Sequence, residues 1–296
     1  MTGAVVAGEE AGEGAEVPSA DLRSDHFITA AELARQLAGT APPVVLDIRF
    51  QPGLADPRAE YDAGHLPGAH YVHLPAVLAD AGPGSARPAT DGALPLPRPA
   101  DLQESLRRLS IHDASRIVVY DNRHGLSAAR AWWVLRWAGL NDIKVLDGGY
   151  GYWRSQMLPT TTLLPAAVGH GTVTLGEGHM PVITTGQAGA LPASGVLIDA
   201  REERHFLAGA GGAPAHIPGA RNLPSSQDVD EQGLLLAAET LRATNRAAGI
   251  ARGIAVGSYC GAGVLAAHKV LTLATLGIES SLYVGSWSAW SATNLT

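Results

Sequence analysis

Four stretches of this chain occur twice, in the same order, and that repetition limits the fold more than any other feature. "VVLDIRF" (44–50) matches "VLIDARE" (196–202), and "GHLPGAHYVHLP" (64–75) matches "AHIPGARNLP" (215–224). "RIVVYDNRHGLSAARAWWVLRWAGL" (116–140) matches "GIAVGSYCGAGVLAAHKVLTLATLGI" (253–278), and "VLDGGYGYW" (145–153) matches "LYVGSWSAW" (282–290). An ordered series of matches of this kind marks a duplicated structural unit. The expected organisation is a tail over residues 1–24, one unit over 25–155, a polar, glycine-bearing linker over 156–181, and a second unit over 182–296. The tail is rich in Gly, Ala and Glu without a periodic apolar face and reads as disordered.

Within each unit, short Val/Ile/Leu runs alternate with longer helical patterns. "VVLDI" and "IVVY" are apolar on consecutive positions, as strands covered on both faces should be. "SAARAWWVLRWAGL" places apolar residues at helical spacing, and Gly139 follows as a C-cap. Strand, loop, helix and strand in series predict an α/β fold, with an open, mainly parallel sheet flanked by helices in each unit. Ligands of such sheets sit beyond the carboxyl ends of the strands.

That is where the chain puts its single cysteine. "IAVGSY" runs into Cys260, "CGAG" turns, and "VLAAHKVLTLATL" continues as a helix. A lone cysteine is often an inert, buried apolar filler. Here Gly261 and Gly263 permit backbone conformations that other residues resist, so that amides of Gly261, Ala262, Gly263, Val264 and Leu265 converge on the sulfur at the positive end of a helix. Such a cradle favours thiolate and stabilises an anion formed on the sulfur. The reading taken is therefore a nucleophile.

Composition removes several function classes. No segment approaches the roughly 20 apolar residues of a membrane span, and the start has no basic n-region, so neither a membrane nor secretion is expected. Of the net charge of -7, residues 1–24 carry -4, through Glu9, Glu10, Glu13, Glu16 and Asp21 against Arg23; the nearly neutral remainder speaks against nucleic acid. One cysteine forms no internal disulfide, which suits a reducing cytoplasm. The eleven histidines show no metal-ligand spacing beside cysteines, and no metal or other cofactor is expected.

Taken together, "AGHLPGA", "AHIPGA", "DAR" (199–201), "CGAGVLA" and the closing "LYVGSWSAW" resemble the tandem-domain rhodanese family of sulfurtransferases, from about residue 25 to 292. The resemblance implies two rhodanese-like domains, the second catalytic and the first without its cysteine. Counting back from Gly277 and Gly139 sets Cys260 opposite Asn122, whose amide is no nucleophile, so that the first domain becomes scaffold and one wall of an interdomain cleft. It also implies that Cys260 takes a sulfane sulfur from thiosulfate or 3-mercaptopyruvate as a persulfide and passes it to a thiophilic acceptor. With no second cysteine to resolve the persulfide, the acceptor is cyanide, a small thiol or a reduced redox protein. The internal repeat already supplies a pseudo-dimeric contact, and a monomer is expected.

The donor is less constrained. Relatives with a basic residue two places after the cysteine resemble thiosulfate enzymes, and those reading "CGSGVTA" resemble mercaptopyruvate enzymes. "CGAGVLA" follows the neutral pattern of the second group, with Ala262 in place of the serine and Leu265 in place of the threonine. The family's donor-binding arginine, six residues after the aspartate of "DAR", is His205 here, preceded by Arg204. The acidic, arginine-bearing insert that usually follows is shortened to "LAGAGGAPAH". Arg201, Arg204 and His205 are the candidates for the donor's anionic group, with Arg201 also suited to bracing the loop from below.

His65 and His216, one per unit, read as structural turn residues; His268, opposite Arg130, reads as solvent-facing or interdomain; Trp287 and Trp290 read as core or cleft wall. Two other functions compete. Some phosphatases share this domain type, but they need an arginine six residues after the cysteine, where Ala266 stands, and a longer loop. A non-catalytic binding module, with the cleft kept and turnover lost, remains open, and a thiocyanate assay separates it from the enzyme.

Overall fold

The computed structural model describes residues 21–51, 53, 56–82, 84–166, 169–207, 215–251 and 253–294. Most of the expected tail, and most of the short insert after His205, lie outside those residues.

The first sheet contains β1 (Phe27–Ile28), β2 (Val44–Asp47), β3 (His70–Tyr71), β4 (Ile117–Tyr120) and β5 (Ile143–Leu146), in the order β1-β5-β4-β2-β3. The second contains β6 (Val196–Asp199), β7 (Arg221–Asn222), β8 (Val256–Tyr259) and β9 (Ser281–Leu282), in the order β7-β6-β8-β9. All pairings within both sheets are parallel, and Val182 bridges Leu282 in the position that β1 occupies in the first sheet. The register repeats as well: Asp47 lies opposite Tyr120, and Asp199 opposite Tyr259. The central strands β4, β6 and β8 are buried at every residue, the consequence of helices on both faces.

Two helices lie at the centre of the molecule. Leu126–Trp137 follows β4, Val264–Thr275 follows β8, and they pack against each other. Both are buried along nearly their whole circumference, because each faces its own sheet on one side and the other unit on the opposite side. One apolar cluster consequently runs through both units, from Leu46 and Val119 through Trp132 and Trp133 to Val264, Leu271 and Val284. Truncating either tryptophan to alanine would cost about 3–5 kcal/mol.

Between residues 156 and 181 the described residues form no helix or strand. This stretch is fastened to the first unit: the amides of Gly171 and Val173 donate to the carbonyls of Arg107 and Ile111, and Val173 is fully buried. A Cβ on Gly171 would fall 2.1 Å from the Ile111 carbonyl oxygen, so only glycine fits there.

His268, on the Val264–Thr275 helix, is completely buried rather than solvent-facing, with Asp228 and Lys269 beside it and Asp121 and His124 reaching its field from the first unit. Burial pushes its imidazole down from 6.5 to about 4. Below pH 6.5 the unfolded chain takes up a proton that the folded chain refuses, so stability falls as pH drops from about 6.5 to about 4, by on the order of 3 kcal/mol. His268→Gln should remove that share of the acid slope in urea unfolding between pH 7 and pH 4.5. An unchanged slope would contradict this account.

Candidate active site

Cys260 stands at the carboxyl end of β8, 2% exposed. Gly263, at φ 79°, caps the following helix, and its N–H points back at the Cys260 Sγ at 3.1 Å. A Cβ there would sit 2.9 Å from both Arg130 Nη1 and the Val284 carbonyl oxygen. The loop is held from the other side by the helix Ser286–Asn294. Ser286 Oγ accepts from the Cys260 N–H at 3.2 Å and donates to the Tyr283 carbonyl at 2.9 Å. The N–H groups of Trp287 and Ser288 donate to the carbonyls of Cys260 and Gly261 at 2.9 and 3.0 Å. With those two carbonyls committed outward, the amides of the turn and of the first helical residues are left for whatever sits at the sulfur.

The first unit shows what this loop does when it holds an anion. Strand register sets Asp121, directly after Tyr120, in the place of Cys260, directly after Tyr259. Counting back along the helix had pointed to Asn122, because the loop here is one residue longer before its left-handed glycine, Gly125. Tyr150 N–H donates to the Asp121 carbonyl as Trp287 N–H does to that of Cys260, and Gly149 (φ 55°) takes the place of Ser286 (φ 53°). The Asp121 carboxylate turns back into the loop. Oδ1 accepts from Arg123 and Gly125 N–H at 2.7 and 2.9 Å, and Oδ2 from Ser127 and Ala128 N–H at 2.6 and 2.8 Å. Four amides at a helix start thus close on one carboxylate. The exposed Asn122 side chain reaches Glu60 instead. By register, the corresponding amides above Cys260 are those of Gly263, Leu265 and Ala266, within or next to the Gly261–Leu265 stretch singled out in the sequence.

Arg201 is buried, with Nε on Asp199 Oδ1 at 2.9 Å, Nη2 on the Ala215 carbonyl at 2.8 Å, and its plane 5.0 Å from the Trp287 ring. Arg49 repeats this arrangement with Asp47, the Gly64 carbonyl and the Tyr150 ring in the unit that has no cysteine. Arg201 thus braces the loop from beneath, through bonds that Arg49 repeats. Burial and Asp199 push the neighbouring Tyr259 phenol well up, which keeps it neutral while its oxygen accepts from Ile217 N–H.

Arg204 and His205 are exposed on the short helix Glu203–Leu207. Phe206 stacks on His216 at 3.8 Å as Tyr61 stacks on His65 at 3.8 Å, and each histidine Nδ1 meets its partner's carbonyl. Both histidines thus serve their turns. The stacking also fixes a register in which His205 corresponds to Glu60. In the first unit Glu60 lines a cavity of about 620 Å³ together with Arg49, Asn122, Tyr150 and Arg154. His205 is thus the counterpart, in the second unit, of a residue that lines the first unit's cavity. Among the described residues no three His, Cys, Asp or Glu side chains gather as a metal site would need, and no helix is long and apolar enough to cross a membrane.

Three contributors escaped the sequence reading: Asp121, Ser286 and Arg130. The match of "DGGY" to "VGSW" holds the signal for Ser286, since it pairs that serine with a glycine. Ser286→Ala should cost about 1–3 kcal/mol of unfolding free energy, the penalty of a buried amide without its acceptor. Ser286→Gly loses the same bond but relieves a left-handed backbone worth about 1–2 kcal/mol, and should cost less. Equal losses in denaturant titrations would contradict this division.

The description of the rhodanese-like domain matches residues 29–156 and again 185–293. Over 279 residues the chain is 40% identical to a Mycobacterium tuberculosis protein provisionally named thiosulfate sulfurtransferase SseB, covering 91% of this chain and 95% of that one. It is 32% identical over 268 residues to the 3-mercaptopyruvate sulfurtransferase of Escherichia coli, covering 84% and 89%. The crystal structure of SseA from Escherichia coli superposes with a TM-score of 0.76 at 29% identity, over 88% of this chain and 98% of that one. With the repeated sheet, the repeated loop and two matching regions, the chain belongs to the rhodanese family and carries its domain twice.

Proposed function

We propose that this protein is a sulfurtransferase that moves a sulfane sulfur from thiosulfate or 3-mercaptopyruvate to a thiophilic acceptor through a persulfide on Cys260. The observation that carries the proposal is the paired loop: one copy encloses a carboxylate in four amides, and the other turns the Gly263 N–H, the counterpart of Gly125, onto the Cys260 sulfur. With thiosulfate, the Cys260 thiolate attacks the sulfane sulfur and forms a new S–S bond. The old S–S bond breaks, its electron pair leaves with sulfite, and the terminal sulfur carries the remaining negative charge. The amides of Gly263, Leu265 and Ala266 stabilise that charge without reorganising. Cyanide or a thiolate then takes the terminal sulfur, and the electron pair returns to Cys260 as thiolate. The lone cysteine leaves release to an outside acceptor, a small thiol or a reduced redox protein, and suits a reducing cytoplasm.

The neutral loop supplies no fixed charge of its own for an anionic donor. Arg204 and His205, exposed on the helix Glu203–Leu207, are proposed to meet that anion together with Arg201, which also braces the loop. His205→Arg puts a permanent charge with a fork of donors at that position and should lower the donor KM several-fold at pH 8. An unchanged KM would move the donor contact elsewhere.

Incubation with thiosulfate should add the mass of one sulfur atom to the intact protein, and cyanide should remove it with formation of thiocyanate. Cys260→Ser should abolish both, since an alcohol is a poor nucleophile at neutral pH. A serine variant that keeps most of the turnover would overturn the proposal. Binding of donors without uptake of sulfur would favour a binding module.

A further inference from the structure

The fully buried cations of the described residues are of two kinds. Arg49 rests on Asp47, Arg201 on Asp199 and Lys269 on Asp228. Arg130 has no such partner. It projects from the Leu126–Trp137 helix of the first domain, is 0% exposed, and forms no ion pair among the described residues. Its Nη2 donates to the Leu94 carbonyl at 3.0 Å, its Nη1 approaches the Gly263 carbonyl at 3.5 Å, and its Nε has no hydrogen-bond acceptor. A buried charge without a counter-charge is costly, and a fold retains one where an anion is formed nearby.

The nearest ionisable group lies across the domain boundary. Gly263, whose carbonyl Arg130 approaches, is the residue whose N–H faces the Cys260 sulfur. Burial pulls the guanidinium down to about 10, so that it is charged at neutral pH, and Cys260 is the group acting in the opposite direction. Arg201 also lies in the field of Cys260, but it is already paired with Asp199 at the end of β6. The pseudo-symmetric position bears out the division. His268, the equivalent of Arg130, lies in the field of the loop in which Asp121 is enclosed by four amides, and burial keeps it neutral.

We propose that Arg130, contributed by the domain that has no cysteine, is a positioning residue and the counter-charge for Cys260: it fixes the Gly263 end of the loop and favours thiolate and persulfide. This inference rests on the sulfurtransferase reading above and extends it by assigning the first domain a part in the chemistry.

Because the chain has one cysteine, alkylation by iodoacetamide reads Cys260 alone. The alkylation rate of the full chain is measured from pH 5 to pH 10 for the wild type, Arg130→Met and Arg130→Lys, together with sulfur uptake from thiosulfate. Arg130→Met should alkylate roughly tenfold more slowly at neutral pH, with the midpoint of its profile displaced upward, as a shift of one unit requires. Arg130→Lys, which keeps the charge, should return the profile to near the wild-type position. A folded Arg130→Met with the wild-type profile would overturn the inference. Should Arg130→Met not fold, Arg130→Gln, which keeps a donor for the Leu94 carbonyl, is read in the same way. If neither folds, Arg130→Lys decides, and a lysine profile displaced upward would show that charge is not the agent. Failure of the wild type to take up sulfur would instead defeat the sulfurtransferase reading itself.

Discussion

Backbone amides at the amino end of a buried helix need an acceptor, and in this molecule two such ends are turned away from water toward the seam between the domains. Each follows the central strand of its sheet, and each begins at a left-handed glycine, Gly125 or Gly263. Unpaired, amides in such a place would cost the desolvation penalty of several buried donors. The first domain resolves the problem permanently with the Asp121 carboxylate. The second leaves it to a sulfur, which accepts weakly as a thiol and strongly as an anion. The same local geometry thus gives a structural loop in one case and a site poised for anionic sulfur in the other.

This dependence explains why a domain without a nucleophile is retained as half of the molecule. The two central helices share one apolar cluster, so neither unit closes its core alone. Each domain also covers the other's loop. From the first domain, the Ala93 N–H donates to Ser288 Oγ at 2.9 Å, beside the Arg130 that spans Leu94 and Gly263. From the second, the Leu235 N–H donates to Asp147 at 2.9 Å, and Gly233 lies so close to His124 that a Cβ would meet its ring at 2.1 Å. The cover is what keeps Cys260 at 2% exposure while its loop stays at the surface through Gly261. Low water content around the sulfur makes each nearby dipole and charge count for more.

Much of this was legible in the sequence because it rests on local rules. Consecutive apolar runs identified the covered strands, the glycines around Cys260 identified the turn, and the repeated motifs identified two sheets of one design. What escaped depends on register across distance. The comparison of Cys260 with Asn122 failed by one residue, since a count taken from the helix end does not see an extra residue in the loop, whereas pairing of Asp47 with Tyr120 and of Asp199 with Tyr259 does. Arg201 was legible as a brace, and its bonds to Asp199 and Ala215, repeated by Arg49, give that part its geometry. Arg130 lies in a stretch that reads as ordinary amphipathic helix, and its neighbours, the Leu94 and Gly263 carbonyls, are 36 and 133 residues away. No spacing rule within one element reveals such a contact.

The central claim is that the two loops are one anion site, closed by a carboxylate in the first domain and open to sulfur in the second. A crystal structure of the protein after incubation with thiosulfate tests it most directly. The account predicts a second sulfur bonded to Cys260 Sγ, within hydrogen-bond distance of the Gly263, Leu265 and Ala266 amides, in the position that the Asp121 carboxylate takes when the two domains are superposed. A persulfide pointing away from those amides, or a loop that opens and breaks the Ser286 and Trp287 bonds to Cys260 to admit it, would contradict the account.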